Sequence, residues 1–575
     1  MKKCILLFMI ASLSGTAWAN ERSERVGDFA LIDHRGDFHQ MNWYQDHTAV
    51  VMLSTSSHCT QDAAALRDYA ELSARFENTG VAFLLLNSDG DNDRTSVEAK
   101  MTEMGFDFPV LMDDSQLVSE TFGIVKTGEY VVYDPSEFSM VHRGNHAAAV
   151  ETVLMEMERG FDVSAAPVQT SLASGCDVQY RSYEDSSGIP SYVNDVAPIL
   201  IDNCATCHRD GGVAPFAMDS HLMVKGWSPM MRETLMTKRM PPGQVDSHIG
   251  EVDALGLSDR EIQTLVHWID VGSPEDGDSD PLAQLSWNES KWPLGEPDMI
   301  VRVPATEIPA SGAMPYIWVD SGVVMPEDRW MRGAQLLPGD PSVVHHVVSV
   351  AVPPDMSGPR IGICPNPCAT GDQNPNEDGV RLQGYVPGIN PSLMNSEVGT
   401  LIEAGSRFVF QMHYTTSGKE TLDASEFGIY FHPEGFEPSR KRIQAAALDN
   451  KFLIPANAEN HAVESSFTLP VEAYVTSVSP HMHVRGKSMR FVAQFPDGSN
   501  EELLSIPHYD FNWQRNFTFK EKKLFPAGTK ILVTGAFDNS VKNRANPAPN
   551  ESVRWGDQSW EEMFIGFIGL EISQR

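Results

Sequence analysis

The spacing of apolar residues changes twice along the chain, and those changes rule out one uniform fold. From about residue 26 to 160, short apolar runs (Ala49 to Leu53, Val81 to Leu86) alternate with stretches of helical spacing (Ala64, Leu66, Tyr69, Leu72, Phe76; then Val150 to Met157). That alternation predicts an α/β layer fold. From about 190 to 275 the pattern is helical. Ser258 and Glu261 form a capping box that opens the run Ile262, Leu265, Val266, Ile269, and Gly272 and Pro274 end it. From about 296 onward, strand-like runs such as Val343–Val352, Arg407–Tyr414, Tyr474–Val478 and Ile531–Phe537 alternate with Pro, Gly and Asn turns. This is the texture of β-sandwiches, and the stretch is too long for one of roughly 100 residues, so it divides near 450.

The chain begins with Lys2 and Lys3, a short apolar run from Ile5 to Leu13, and Ala17-Trp18-Ala19. This pattern predicts a signal peptide cleaved near Ala19, and hence a periplasmic or secreted protein. No later run is long enough to span a bilayer. Lys plus Arg is 43 and Asp plus Glu 78, a net charge of −35. Such a surface repels phosphate backbones and anionic lipid, which excludes nucleic acid as the expected partner. The expected organisation is a signal peptide over 1–19, a thioredoxin-like domain over 20–165, a linker over 166–189 and a small all-α domain over 190–275. The acidic linker 276–295 follows, then two all-β sandwiches over 296–450 and 451–575.

Cys204-Ala205-Thr206-Cys207-His208 is a C-x-x-C-H motif. Two thiols at this spacing can add to the vinyl groups of a heme, and the adjacent histidine then lies under the iron. A zinc knuckle would want a second ligand pair nearby, and none is present. One covalently bound heme c is therefore expected. Met240, 32 residues on and held extended by Pro241, is the expected opposite ligand. Met218, Met223, Met230, Met231, Met236 and His221 are competitors for that place.

Five of the 18 histidines stand in suggestive company in the β half. His481 and His483 flank Met482 after a strand-like run, and at i and i+2 on a strand they share a face. His345 and His346 are adjacent, so they can serve one ion only at a bulge or strand end. His413 ends another alternating run. Imidazoles suit copper or zinc, and an added thioether points to Cu(I).

Val344-His345-His346-Val347, Gln411-Met412-His413-Tyr414, Pro480-His481-Met482-His483 and Trp560-Glu561-Glu562-Met563 fall in order at spacings of roughly 70 to 80 residues. Residues from about 296 to 575 thus resemble the copper type II, ascorbate-dependent monooxygenases, the family of peptidylglycine α-hydroxylating and dopamine β-monooxygenases. The resemblance implies two jelly-roll-like sandwiches facing across a solvent cleft, with one copper ion on each. His345, His346 and His413 would hold an electron-relay copper. His481, His483 and Met563 would hold the oxygen-activating one, with Gln411 among the catalytic residues. In the peptide-amidating members an Asn, a Tyr and an Arg grip the substrate carboxylate; here those positions are Ile565, Phe567 and Ser479. A less polar substrate pocket is therefore expected, with charge partners for a peptide carboxylate missing.

Residues from about 26 to 160 resemble the redoxin and thiol-peroxidase branch of the thioredoxin fold, through Ser56-Ser57-His58-Cys59 at a strand-to-helix junction. A thiolate there is favoured by the helix dipole, which makes Cys59 a candidate redox thiol. Asp62 stands where a C-x-x-C partner would be, and Thr127-Gly128 where a Thr–cis-Pro pair flanks such sites. Cys176 is a candidate disulfide partner, and Cys364 and Cys368 are expected to form a local disulfide. The order redoxin, c-type cytochrome, copper monooxygenase resembles a group of exported bacterial multidomain proteins. It implies hydroxylation of a C–H bond of a small-molecule substrate with O2, fed by an external electron donor such as ascorbate or another one-electron reductant. The alternatives are a non-catalytic copper and heme electron-transfer or sensing protein, and a thiol peroxidase centred on Cys59.

Overall fold

The computed structural model describes residues 24–574, apart from 91–92, 162–172, 182–187, 213, 244, 254–255, 288–289, 357–361, 364–378 and 388–390. The expected signal peptide and the Cys364–Cys368 pair lie outside the described residues. Among those residues, no helix is long and apolar enough to cross a membrane. The chain forms two compact units, one of residues 1–29 and 40–181 and one of residues 30–39 and 182–575.

The first unit carries the α/β fold its alternation predicts. Ala49–Thr55 runs parallel to Val81–Asn87, which runs parallel to Val110–Met112; on the other side it pairs antiparallel with Tyr130–Asp134, and that strand with Ser139–Gly144. All seven residues of Ala49–Thr55 are buried. A strand covered on both faces needs a continuous apolar run rather than an alternating one. Helix Ala63–Arg75 lays Leu66, Tyr69 and Leu72 on the sheet, and Ala147–Glu158 adds Val150, Val153 and Leu154.

The second unit holds a large all-β region. A five-stranded sheet (Gly362–Ile363, Ile317–Val324, Arg407–Tyr414, Val344–Val352, Val380–Arg381) and a four-stranded sheet (His461–Thr468, Lys530–Phe537, Gly486–Gln494, Asn500–Ile506) each have their own core. A nine-stranded sheet runs through both sandwiches, because Val398–Ile402 pairs in parallel with Arg440–Asp449. Arg440–Asp449 pairs over its full length with Phe564–Ser573. The strand thus belongs with the second sandwich, and the division falls before it rather than after residue 450.

The segment 190–275 contains the expected helices, Ala197–Asn203, His221–Met236 and Asp259–Asp270, the last opened by the Ser258–Glu261 capping box. It is not a separate all-α module. Val252–Asp253 is a strand that extends the nine-stranded sheet by pairing with Phe517–Phe525. The acidic tract after it is pinned as well. Asp276 accepts from the Val193 amide, and Asp280 accepts from the Tyr192 hydroxyl at 2.7 Å and the His221 amide at 2.6 Å. Leu282 and Trp292 are buried, and Trp292 packs where Gly428 leaves room. Asp276 and Asp280, part of a linker by composition, thus act as acceptors for the helical segment.

Candidate functional site

A register slip explains how two adjacent histidines come to one place. Val344 pairs with Tyr414 and His346 with His413, so the strand is bulged at His345. A bulge re-aims one side chain relative to its neighbour. The His345 and His346 rings are 4.0 Å apart, and those of His346 and His413 5.7 Å. In the second sandwich, strand Ala473–His481 ends at His481, and the His483 ring lies 5.2 Å from it. Met563 directly precedes Phe564–Ser573, which pairs with the His481 strand.

His346, His413, His481, His483, Met563 and Gln411 line one cavity of about 260 Å³. The two histidine sets are closer than an open solvent cleft would place them. Tyr316 fills the gap, its ring flat on His413 at 3.5 Å and edge-on to His483 at 6.0 Å. Its hydroxyl is buried without a hydrogen-bond partner.

Ring nitrogens in this cluster are left over after every protein hydrogen bond is made. His345 Nε2, both nitrogens of His346, His413 Nδ1 and His483 Nε2 are buried and unpartnered. The remaining nitrogens are fixed from outside. His413 Nε2 meets Gln411 Oε1 at 2.9 Å, His481 Nδ1 meets Gln514 Oε1 at 2.5 Å, and His483 Nδ1 meets the Glu561 carbonyl at 3.2 Å. Such outer partners set which nitrogen is free to ligate. Gln411 thus positions His413. Burial pushes His483 down to about 3 and His481 down to about 4, and it holds His346 and His413 well below the usual imidazole range, with the neighbouring histidines adding to it. All four are neutral at neutral pH, the state in which imidazole binds metal. Among the described residues no three His, Cys, Asp or Glu side chains are gathered closely enough to hold a metal ion together. The donor set fits soft-metal chemistry, because buried imidazole nitrogens without partners are costly unless something occupies them.

The second set rests on groups that the motifs alone did not reveal. Glu562 is fully buried and accepts from the amides of His483 at 2.8 Å and Arg485 at 2.6 Å. Arg485, equally buried, donates to Asn539 and the Trp560 carbonyl. The Tyr509 hydroxyl accepts from the Met482 amide and donates to its carbonyl. Ile565, Phe567 and Ser479 do line the cavity, but so do Arg381 and Arg442. The cavity is therefore less apolar than expected, because cationic groups reach it from strands other than those the motifs occupy.

In the C-x-x-C-H segment, His208 Nδ1 donates to the Phe216 carbonyl at 3.1 Å, which leaves Nε2 free as the ligating atom. Phe216 stacks on Trp227, with the His208 ring tilted against it at 4.5 Å. Cys204 and Cys207 are unpaired, and burial pushes the Cys204 thiol up to about 12. Two free thiols and a free imidazole nitrogen fit a covalent heme. A cavity of about 300 Å³ opens beside Cys207. Met240 lies half-buried beyond helix His221–Met236, its amide bonded to the Thr234 carbonyl. Met218, Met231 and Met236 are buried, Met223 and Met230 exposed, and His221 Nε2 is taken up by the Ser273 carbonyl.

In the first unit Cys59 forms a disulfide with Cys176, with Cα atoms 5.8 Å apart. Thr127 Oγ1 and the Cys176 amide both donate to Cys59 Sγ at 3.2 Å. Gly175 is required there, since a Cβ would collide with Thr127. Asp62 does not substitute chemically for a second cysteine. It is buried and bonded to Lys100 Nζ at 2.8 Å, and the same ammonium donates to the carbonyls of Ser56 and Cys59. Cys59 is almost fully buried, whereas Cys176 is partly exposed.

No curated protein matches the chain. Among solved structures, a hypothetical protein from Sinorhizobium meliloti is similar at 22% identity over 28% of this chain and 96% of its own, with a TM-score of 0.25. The pneumococcal exposed lipoprotein thioredoxin from Streptococcus pneumoniae is similar at 23% identity over 23% of this chain and 99% of its own, TM-score 0.20. Peroxidoxin BcpB from Mycobacterium tuberculosis is similar at 16% identity over 25% and 98%, TM-score 0.21. Residues 23–145 match the AhpC/TSA family, and this part of the chain is a thioredoxin-like redoxin domain.

Proposed function

We propose that the chain is an exported copper-dependent monooxygenase that hydroxylates a C–H bond of a small molecule, supplied with electrons through a c-type heme at Cys204, Cys207 and His208. One observation carries the reading: unpartnered, buried histidine nitrogens from two sandwiches converge, with the Met563 thioether, on one cavity. When bound, two copper ions supply the two electrons that O2 needs beyond those of the substrate, so that one oxygen atom enters the C–H bond and the other leaves as water. The chain's own residues do the rest. His345, His346 and His413 hold one ion, and His481, His483 and Met563 the other. Gln411, Gln514 and the Glu561 carbonyl keep the donor nitrogens aimed. Ile565 and Phe567 present an apolar wall to the substrate, and Tyr316 and Phe511, whose ring lies 5.7 Å from His345 and 6.0 Å from His483, limit water between the two sets.

The test is a metabolite screen on copper-loaded protein with ascorbate, following O2 uptake and a product heavier by one oxygen. The same preparation should keep its heme through acid–acetone extraction. O2 uptake without any oxygenated product returns the chain to a non-catalytic copper and heme electron carrier.

A second reading is favoured by the Cys59–Cys176 disulfide: thiol–disulfide or thiol-peroxidase chemistry in the redoxin domain. Two donors on Cys59 Sγ would stabilise its thiolate after reduction. Dithiol-dependent peroxide consumption should then vanish in Cys59→Ser and persist, more slowly, in Cys176→Ser. Equal rates in both variants and wild type would end this reading.

A further inference from the structure

The cavity beside Cys207 and the cavity of the histidines share a wall. Gln383, Gly384 and Tyr385 line both. The Tyr385 amide donates to the Val347 carbonyl at 2.9 Å, and the Tyr385 carbonyl accepts in return from the Val347 amide at 3.0 Å. Val347 directly follows His346. On the other side, burial pushes the Tyr385 hydroxyl up to about 12, and the Cys207 thiol adds to that push, which places the phenol within electrostatic reach of the thioether position. One residue is thus hydrogen-bonded to the histidine strand and adjacent to the cysteine that would carry the heme edge.

We propose that Tyr385 is the electron conduit from the heme held at Cys204, Cys207 and His208 to the copper held by His345, His346 and His413. This rests on the function proposed above. A ferrous heme loses one electron and becomes ferric; a cupric ion at the histidines gains it and becomes cuprous. No bond forms or breaks and no proton moves, so an aromatic ring and two hydrogen bonds are all the path needs. The one-electron reductant outside the protein restores the heme. Covalent and hydrogen-bonded routes carry an electron far better than an empty gap, and residues 383–385 form such a route between the two cavities. The segment cannot swing away: besides the paired bonds at Val347, the Leu382 amide donates to the Ser349 carbonyl.

The experiment uses the full-length protein with heme and copper, without substrate or O2. A photochemical pulse reduces the heme, and its reoxidation is followed by absorbance while copper reduction is followed by loss of the cupric paramagnetic signal. Tyr385→Leu should slow heme-to-copper transfer by about tenfold, whereas Tyr385→Phe, which keeps the ring, should match wild type. Heme spectrum, reduction potential and copper content should be the same in all three, which a merely structural role would not predict. A wild-type rate in Tyr385→Leu overturns the conduit, and so does a Tyr385→Phe protein as slow as Tyr385→Leu. Rapid transfer in a protein that hydroxylates nothing sinks the proposed activity and leaves the conduit standing. Wild-type protein that holds no covalent heme or no copper sinks both.

Discussion

If the chain carries the proposed function, a His413→Ala protein should hold one copper ion per chain against two in the wild type, and should lose hydroxylation with every reductant. His413 sits opposite His346 on the neighbouring strand, and its Nδ1 is buried with no protein partner. Without it, two imidazoles from one bulged strand remain, and the Gln411 amide and the Tyr316 ring each lose what they rest on. The loss should exceed the roughly 10- to 100-fold in metal affinity that follows removal of an outer partner, so Gln411→Ala provides the graded comparison. Elemental analysis of fully loaded protein and integration of the cupric signal check both variants. Met563→Ala should instead keep two cupric ions and weaken cuprous binding, since a thioether favours the softer state. Two retained coppers in His413→Ala would show that this histidine is not a ligand.

Much of this was legible in the sequence because it rests on local geometry. Two adjacent histidines can serve one ion only at a bulge or a strand end, and the register slip lies at His345. The capping box at Ser258 formed as its spacing requires, since both of its hydrogen bonds lie within one turn. The thioredoxin-like unit followed from runs whose length and burial match covered parallel strands. What stayed hidden depends on contacts far apart in the chain. Val252–Asp253 has no strand signal of its own; it is a strand because Phe517–Phe525 presents an open edge to it. The acidic tract looks like solvated linker by composition, yet Asp276 and Asp280 accept hydrogen bonds from Val193, Tyr192 and His221, some 60 to 90 residues away. Lys100 and Tyr385 carry no motif at all. Each matters because a distant element, the start of helix Ala63–Arg75 for Lys100 and strand Val344–Val352 for Tyr385, delivers a carboxylate or a carbonyl to it.

Glu562→Ala should be among the most destabilising single changes in the second unit, costing about 3–5 kcal/mol, because it leaves the Arg485 guanidinium buried without its carboxylate. Both side chains are fully buried, and Glu562 also holds the amides of His483 and Arg485. Those amides lie in a turn that closes off strand Ala473–His481, so they have no strand partner to fall back on. Burial pushes the Glu562 carboxyl up, while the Arg485 and His483 amides and the Arg485 guanidinium pull it back, so its place depends on these partners. Denaturant unfolding of the full chain should show the large unit melting earlier while the redoxin unit is unchanged. Glu562→Gln keeps the size and one acceptor, so it should cost distinctly less. The functional consequence is local: the His483 backbone loses its anchor and Met563, the next residue after Glu562, loses its fixed approach. Copper at His481, His483 and Met563 should bind more weakly, and copper at His345, His346 and His413 should be retained. Equal loss at both sites would mean that the two sets are held by one shared framework, with no separate support beneath the H-x-H pair.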